Sequence, residues 1–196
     1  MEQLKNKHKG FVSYIIGKGR SLEYLTNDYF SENGIIITIN ESVIKIKELN
    51  PLLKVYSMQK DGYHNRSCVY PDCYNCNIST TDPSPYTLLV HKEYSEKCFE
   101  DYPDRIVFDN KLLGLTKIGF SALSAIKLSQ LMGCDKIVFL CFDAHNGDIR
   151  GMYKRKIKQS GEYGNVNYKV QIDIQKRFLL KIPLSHKYIT PTSNGA

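Results

Sequence analysis

The segment from Gly119 to Asp143, GFSALSAIKLSQLMGCDKIVFLCFD, constrains the fold more than any other part of the chain. Its first half has apolar residues at helical spacing and ends at Gly133, which suits the position just after a helix. Its second half is a continuous apolar run that ends on Asp143 and is typical of a buried strand. A helix that returns at once to a buried strand is half of a βαβ unit, whose crossover makes that strand parallel to its neighbours.

Similar apolar runs recur along the rest of the chain and predict the other strands. They are Phe11–Ile16, Gly34–Asn40, Leu52–Met58, Tyr86–His91, Arg105–Asp109 and, as the closing strand, His186–Pro191. Further helices are predicted from Ser21 to Glu32, with Ser21 as N-cap, and from Val166 to Leu180. This alternation predicts a single α/β domain over residues 1–196, with a Rossmann-like, doubly wound, mostly parallel sheet and helices on both faces.

Composition narrows the function classes. The chain has 196 residues, a formal net charge of +7 and no long apolar run, so a transmembrane helix is excluded. The N-terminal segment MEQLKNKHKG lacks the apolar core of a signal peptide, and we therefore expect a cytoplasmic protein. Lysines are scattered, and no zinc-finger or helix-turn-helix motif accompanies them, which disfavours nucleic acid as a partner. A homo-oligomer is left open.

Two polar segments interrupt the alternation, and each follows a predicted strand. A cysteine-containing insertion covers about 59–85, and a basic, glycine-rich, lid-like loop covers about 144–165. The residues Cys68, Cys73 and Cys76, with His64 before them and Cys98 after them, offer enough donors for a tetrahedral, structural Zn²⁺ site. Loop thiols without a metal are the alternative. Cys134 and Cys141 lie in apolar segments and are predicted to be small buried hydrophobic residues.

The first predicted strand ends at a glycine-rich turn, Gly17-Lys18-Gly19-Arg20-Ser21. We expect this turn to hold a nucleotide phosphate, because glycines let backbone N–H groups approach an anion where a helix begins. Lys18 and Arg20 add positive charge at the same place. An ordinary tight turn is the alternative, since the turn lacks the third glycine of the dinucleotide fingerprint and the Gly-Lys-Ser/Thr of a Walker loop.

Other polar residues stand at the ends of predicted elements. Asn40 suits a base or ribose edge, or else makes an ordinary turn. Ser121 would cap the helix that follows it or meet a second part of the same ligand. Asp143 would bind a metal, orient a sugar hydroxyl or satisfy backbone donors in the turn that follows it. His145 is the first candidate general base and Tyr163 the second.

Four short blocks of the chain resemble, in the same order, those of one family. The blocks are IIGKGRSL, TIN, GFSALSAIKLSQLMGCDKIVFLCFDAH and KYITPTSNGA. They are similar to blocks of the bacterial sialyltransferases of glycosyltransferase family 42 and of the related domain of unknown function 115, which includes 6-hydroxymethylpterin diphosphokinase-like and many phage proteins. The resemblance implies a Rossmann-like fold that binds a nucleotide. The residues that it places at the nucleotide are Gly17, Gly19, Ser21, Asn40, Ser121, Thr190 and Ser193.

The resemblance also implies a transferase that uses a nucleotide-sugar by inverting displacement, in which a base deprotonates the acceptor hydroxyl. The family's Gly-His-Ser base motif is missing from residues 144–186, so both the base and the acceptor are unassigned. Cys141 and Phe142 replace the family's Gly and Phe or Ile before Asp143. Two alternatives are diphosphate transfer to a pterin-like alcohol with Mg²⁺ near Asp143, and a non-catalytic nucleotide- or nucleic-acid-binding phage module.

Overall fold

Seven parallel strands form one sheet at the centre of the protein. The computed structural model describes residues 1–40, 42–59, 85–92, 99–115, 121–143 and 168–193. The strands in these ranges are β1 (Val12–Ile16), β2 (Gly34–Ile39), β3 (Lys54–Gln59), β4 (Thr87–His91), β5 (Arg105–Phe108), β6 (Lys136–Leu140) and β7 (Ser185–Ile189). Each lies within two residues of a predicted strand, and their order across the sheet is β5-β4-β3-β2-β1-β6-β7.

Helices connect the strands. The described α-helices are α1 (Ser42–Leu49), α2 (Ser121–Leu131) and α3 (Tyr168–Leu179), and short 3₁₀ segments cover Glu2–Leu4, Arg20–Tyr24 and Asn27–Tyr29. None of the helices in the described part of the chain is long and apolar enough to cross a membrane.

The strand order contains one reversal, which confirms the predicted doubly wound architecture. From β1 the chain adds strands outwards to β5, and it then returns to place β6 on the other side of β1, followed by β7. β1 therefore pairs with β2 through Ile15 and Ile37, and with β6 through Ile15 and Phe139. In open parallel sheets, the point where the order reverses opens a crevice at the carboxyl ends of the strands. Here that point lies between β1 and β6.

Alternating strand residues build two cores, one on each face of the sheet. Ile15 and Ile37 pack with Leu128 of α2 on one face. Ile16 and Ile36 belong to the core of the opposite face, which also contains residues of α1 and of the Arg20–Tyr24 segment. Because the central strands are covered on both faces, they are almost continuously apolar in sequence.

Two helix assignments differ from the sequence prediction. The predicted helix from Ser21 to Glu32 is wrong, because this segment forms two 3₁₀ turns and Gly19, not Ser21, occupies the N-cap position. The helix α1 was not predicted at all, since its β-branched Val43 and Ile46 favour strands when read locally. Both side chains are buried in the core, so tertiary packing overrides their local preference.

The N-terminal arm, residues 1–11, pairs with the carboxyl end of α2. The N–H groups of Asn6, His8 and Gly10 donate to the carbonyl oxygens of Leu131, Met132 and Gly133 at 2.9, 2.8 and 3.1 Å. These bonds satisfy carbonyl groups that a helix end leaves without partners. Gly133 has φ +79°, which confirms its predicted position just after the helix.

The arm carries a buried histidine whose protonation opposes folding. His8 Nε2 lies 2.7 Å from the Tyr56 hydroxyl, and burial, with the charges of Lys7 and Lys54, lowers the pKa of His8 below its ordinary value of 6.5. The unfolded chain therefore binds the proton more readily than the folded protein does. Stability from neutral His8 is fully present above about pH 6.5 and is lost as the pH falls towards the folded-state pKa.

We expect His8→Gln to reduce this loss, because glutamine cannot be protonated and can still hydrogen-bond to Tyr56. Urea unfolding at pH 7.5 and 5.5 measures the free energy of unfolding of each variant at both pH values. The same substitution at His186, which is exposed on β7, is the matched control. Equal pH dependence in the two variants would contradict the assignment.

Candidate functional site

The candidate site lies at the carboxyl edge of β1 and β6. Gly17 to Ser21 follow β1, and Cys141 to Asp143 follow β6. The chain leaves β1 towards the face that carries α1, whereas Leu179 of α3 packs on the opposite face. Connections that leave neighbouring strands towards opposite faces separate above the sheet, and ligands of such folds bind in the resulting crevice.

Asp143 and Ser21 tie the two loops together. Asp143 is only 5% exposed. One of its carboxylate oxygens accepts the Ser21 N–H at 2.8 Å, and the other accepts the Ser21 hydroxyl. Hydrogen bonds to an ionised carboxylate are stronger than neutral ones, and they offset the cost of burying the charge. Asp143 does satisfy a backbone donor, but this donor is the Ser21 N–H of the β1 loop and not, as was predicted, a group of the turn that follows Asp143.

Close approach of the β6 loop explains both glycines of the turn. A Cβ atom on Gly17 would lie 2.5 Å from the Cys141 carbonyl oxygen, and one on Gly19 would overlap the Asp143 carboxylate. The Gly17 N–H donates to the Leu140 carbonyl at 2.7 Å, and the Gly19 N–H to the Cys141 carbonyl at 2.9 Å. The glycines therefore let two loops meet rather than supply a positive φ.

These bonds change how the turn would hold a phosphate. We expected backbone N–H groups to bind the anion, but those of Gly17, Gly19 and Ser21 donate to other parts of the protein. Their donation inside the fold removes them as ligands of a phosphate. The groups of the turn that suit an anion are the cationic side chains, half-buried Lys18 and exposed Arg20.

Cys141 turns the chain between β6 and Asp143. Its φ is +63°, in the left-handed region that residues with a Cβ atom rarely adopt, and its side chain is fully buried. The family that the chain resembles has glycine at this position, which adopts such a φ without strain. Burial raises the pKa of the Cys141 thiol, so the thiol is a packing group and not a nucleophile. The predicted burial of Cys134 and Cys141 is confirmed.

A second polar group follows β2. Asn40 is 1% exposed and has φ +48°, a conformation that asparagine adopts more easily than most residues. Its N–H donates to the Met58 carbonyl at 2.9 Å, and its carbonyl accepts Gln59 Nε2 at 3.2 Å. The Ser42 hydroxyl accepts the Ile39 N–H at 2.9 Å. Sequence reasoning missed Gln59 and Ser42, although a polar residue that ends or follows an apolar strand is the signal that identified Asn40.

The first turn of α2 reaches the same edge of the sheet. Ser129 Oγ lies 2.7 Å from Ser13 Oγ of β1, and α2 runs antiparallel to the strands. Ser121 lies about 12 Å further along the helix, and the end of β1 lies about 10 Å beyond Ser13. Half-buried Ser121 is therefore level with the end of β1, as its prediction as a ligand contact requires.

The remaining predicted residues are placed less centrally or not described. Thr190 is half-buried and Ser193 exposed, and both follow β7, which is separated from β1 by β6. Predicted positions outside the described residues are His145, Tyr163, Cys68, Cys73, Cys76 and Cys98, with most of the insertion and the whole lid-like loop. Among the described residues, no three His, Cys, Asp or Glu side chains form a group that would hold a metal ion.

No protein-family model matches this chain, and no curated protein matches its sequence. The resemblance to glycosyltransferase family 42 and to domain of unknown function 115 therefore stays a prediction.

The contact between Gly19 and Asp143 can be measured by a double-mutant cycle. We expect Gly19→Ala to lower the free energy of unfolding by about 1–3 kcal/mol, because the added methyl group must displace the carboxylate. In an Asp143→Ala background the same substitution has room, and its cost should fall. Urea unfolding of the four proteins gives the coupling energy. Equal costs in both backgrounds would show that the two residues do not meet.

A buried alanine is usually more stable than a glycine at the same position, and the backbone at Cys141 predicts the opposite order of stability. We expect Cys141→Gly to be more stable than Cys141→Ala by up to about 1 kcal/mol, because a left-handed φ penalises a Cβ atom and the entropy of unfolded glycine offsets only part of this gain. The matched control is the same pair at buried Cys134, whose φ is not positive and where alanine should be the more stable. Thermal unfolding measures both pairs, and the same order at both sites would contradict the assignment.

Proposed function

We propose that the protein binds a nucleotide or nucleotide-sugar in the crevice between β1 and β6 and transfers a group from it. The observation that carries the proposal is the junction of the turn from Gly17 to Ser21 with Asp143 at the point where the strand order reverses. A buried carboxylate at the mouth of a parallel sheet is costly unless it is used or satisfied. Here Ser21 satisfies it, which holds both loops at a fixed separation.

Charge on the turn supports a phosphate ligand. Lys18 and Arg20 alternate with the two glycines, so two positive side chains flank a short stretch of bare backbone. Arginine suits phosphate through bidentate hydrogen bonding, and lysine acts as a point charge. The formal net charge of +7 also favours an anionic ligand. Two uncharged polar residues stand close to the same edge of the sheet: Asn40 directly follows β2, and Ser121 begins α2.

The transfer reaction rests on the resemblance to glycosyltransferase family 42. In an inverting displacement, the acceptor oxygen forms a bond to the sugar carbon while the bond from that carbon to the phosphate oxygen breaks. The acceptor proton passes to a general base, for which His145 and Tyr163 are the candidates. Lys18 and Arg20 would offset the negative charge that develops on the leaving phosphate. Asp143, whose oxygens both accept from Ser21, would position the turn rather than react.

The proposal predicts that one class of nucleotide stabilises the protein. Thermal unfolding with CMP, CDP, UDP, GDP and ATP, each with and without Mg²⁺, should show a rise of several degrees for the preferred nucleotide at saturation. Stabilisation by ATP only with Mg²⁺ would instead favour diphosphate transfer. If no nucleotide raises the unfolding temperature, but DNA or RNA raises it in a salt-dependent way, the protein would instead be a nucleic-acid-binding module.

Arg20→Ala tests the location of the phosphate. We expect it to weaken binding of the stabilising nucleotide about tenfold, the loss typical of one hydrogen bond to a charged group. Lys9→Ala is the control, since it removes the same charge from an exposed residue near the amino end of β1, at the opposite edge of the sheet. Titration calorimetry measures both affinities. Equal affinities would place the phosphate elsewhere.

A further inference from the structure

Three aromatic side chains form a wall beside the crevice, which we call the aromatic wall: Phe139, Phe142 and Tyr188. The rings of Phe139 and Tyr188 stack, with centroids 4.6 Å apart and an angle of 18° between the planes. The Phe142 ring stands edge-on to both, at 5.3 Å from Phe139 and 6.4 Å from Tyr188, each at an angle of 81°. Such edge-to-face pairs stabilise one ring orientation. Phe139 is fully buried, so the exposed part of the wall belongs to half-buried Phe142 and Tyr188.

The backbone of Cys141 brings the wall into the site. Cys141 has φ +63°, and the ring of the next residue, Phe142, lies beside the β1 turn. A Cβ atom on Gly17 would lie only 2.9 Å from Phe142 Cδ2, so the ring lies directly against the bare backbone of that glycine. Phe142 is half-buried, and the next residue is Asp143. The ring therefore borders the same crevice as the Ser21–Asp143 junction.

The wall is apolar where the rest of the site is charged or polar. Phe142 packs against the core of the face that carries α2 and α3, whereas Ser21 lies in the 3₁₀ segment on the opposite face. The Tyr188 hydroxyl accepts Gln175 Nε2 at 2.9 Å, and burial raises the pKa of Tyr188 to about 12. The tyrosine is therefore neutral at physiological pH, and the wall carries no charge.

We propose that a ring of the bound nucleotide packs against Phe142, with Phe139 and Tyr188 holding that side chain in place. This inference rests on the proposed function and adds to it a residue that the sequence did not assign. A nucleotide combines anionic phosphate with flat or puckered rings. The β1 turn carries the cationic residues Lys18 and Arg20, and the Phe142 ring lies against Gly17 of the same turn. The ring is either the nucleobase or the sugar carried beyond the phosphate, since both present an apolar face.

A tryptophan at position 142 reports this contact directly. The chain contains no tryptophan, so Phe142→Trp introduces a single tryptophan at the wall, whose emission can be excited separately from that of the tyrosines. Phe11→Trp is the matched control, because Phe11 is also a half-buried phenylalanine on the same core but lies just before β1, at the opposite end of that strand. Titration with a nucleotide that stabilises the protein should change the emission of the first variant and leave that of the second unchanged.

Matched ligands show whether the nucleobase or the transferred sugar contacts Phe142. UDP and UDP-glucose, GDP and GDP-mannose, and ribose 5-phosphate serve as probes. A change with UDP or GDP but not with ribose 5-phosphate identifies the base, and a change only with the sugar-bearing member of a pair identifies the sugar. A nucleotide that raises the unfolding temperature without changing the emission at position 142 would overturn the inference and leave the proposed function standing. If no nucleotide raises that temperature, both fall.

A second variant separates a loss of nucleotide binding from a loss of folding. Phe142→Leu keeps apolar bulk beside Gly17 and removes the aromatic face. We expect it to unfold close to the wild-type temperature and to bind the stabilising nucleotide about tenfold more weakly, as for the loss of one stacking contact. Unchanged affinity in a folded Phe142→Leu protein would contradict the proposal.

Discussion

The hydrogen bonds between Ser21 and Asp143 are the interaction on which the site depends. They join two loops that are far apart in sequence but follow neighbouring strands. They also provide hydrogen-bond donors to the buried Asp143 carboxylate. A carboxylate buried at this depth without hydrogen-bond donors would carry the full cost of its lost hydration. The hydrogen bonds from Ser21 satisfy the carboxylate and fix the distance between the two loops.

The glycines and Cys141 are consequences of this close approach. Gly17 and Gly19 lack side chains where the β6 loop passes, and Cys141 adopts a left-handed backbone so that the chain can turn towards Ser21. Strained backbone of this kind persists only where surrounding packing over-determines it, and it is concentrated at functional sites. Here the fully buried thiol supplies that packing. The same turn brings the Phe142 ring against Gly17, so one local strain positions both a charged and an apolar part of the crevice.

The sheet makes this arrangement rigid. β1 is the central strand of the reversal and pairs with β2 on one side and β6 on the other. At its amino end, the N-terminal arm pairs with the last carbonyls of α2, while the Ser13–Ser129 contact fixes that helix along the strand. The site loops directly follow β1 and β6, so the packing of these strands fixes where both loops begin. The carboxyl edge can then carry polar and strained groups at an acceptable cost in stability.

The local sequence pattern was sufficient to predict the strands, because apolar runs such as GIIITIN and KIVFLCF are long enough to indicate burial on both faces of the sheet. It was also sufficient to mark Gly17, Gly19, Ser21, Asn40 and Asp143, because each stands where an apolar run ends. It failed for α1, whose β-branched residues become helical only when the core covers Val43 and Ile46. The local pattern could not pair Ser21 with Asp143, because these residues are 122 positions apart in sequence. They meet only because the strand order reverses at β1 and places β6 beside it. The amino-acid sequence by itself determined the strands, the parallel sheet and the glycine turn, because these follow from periodicity and local sterics. Only the tertiary structure decided which groups the turn's N–H donors bind and which ring lies against Gly17, because both depend on contacts between strands that are distant in sequence.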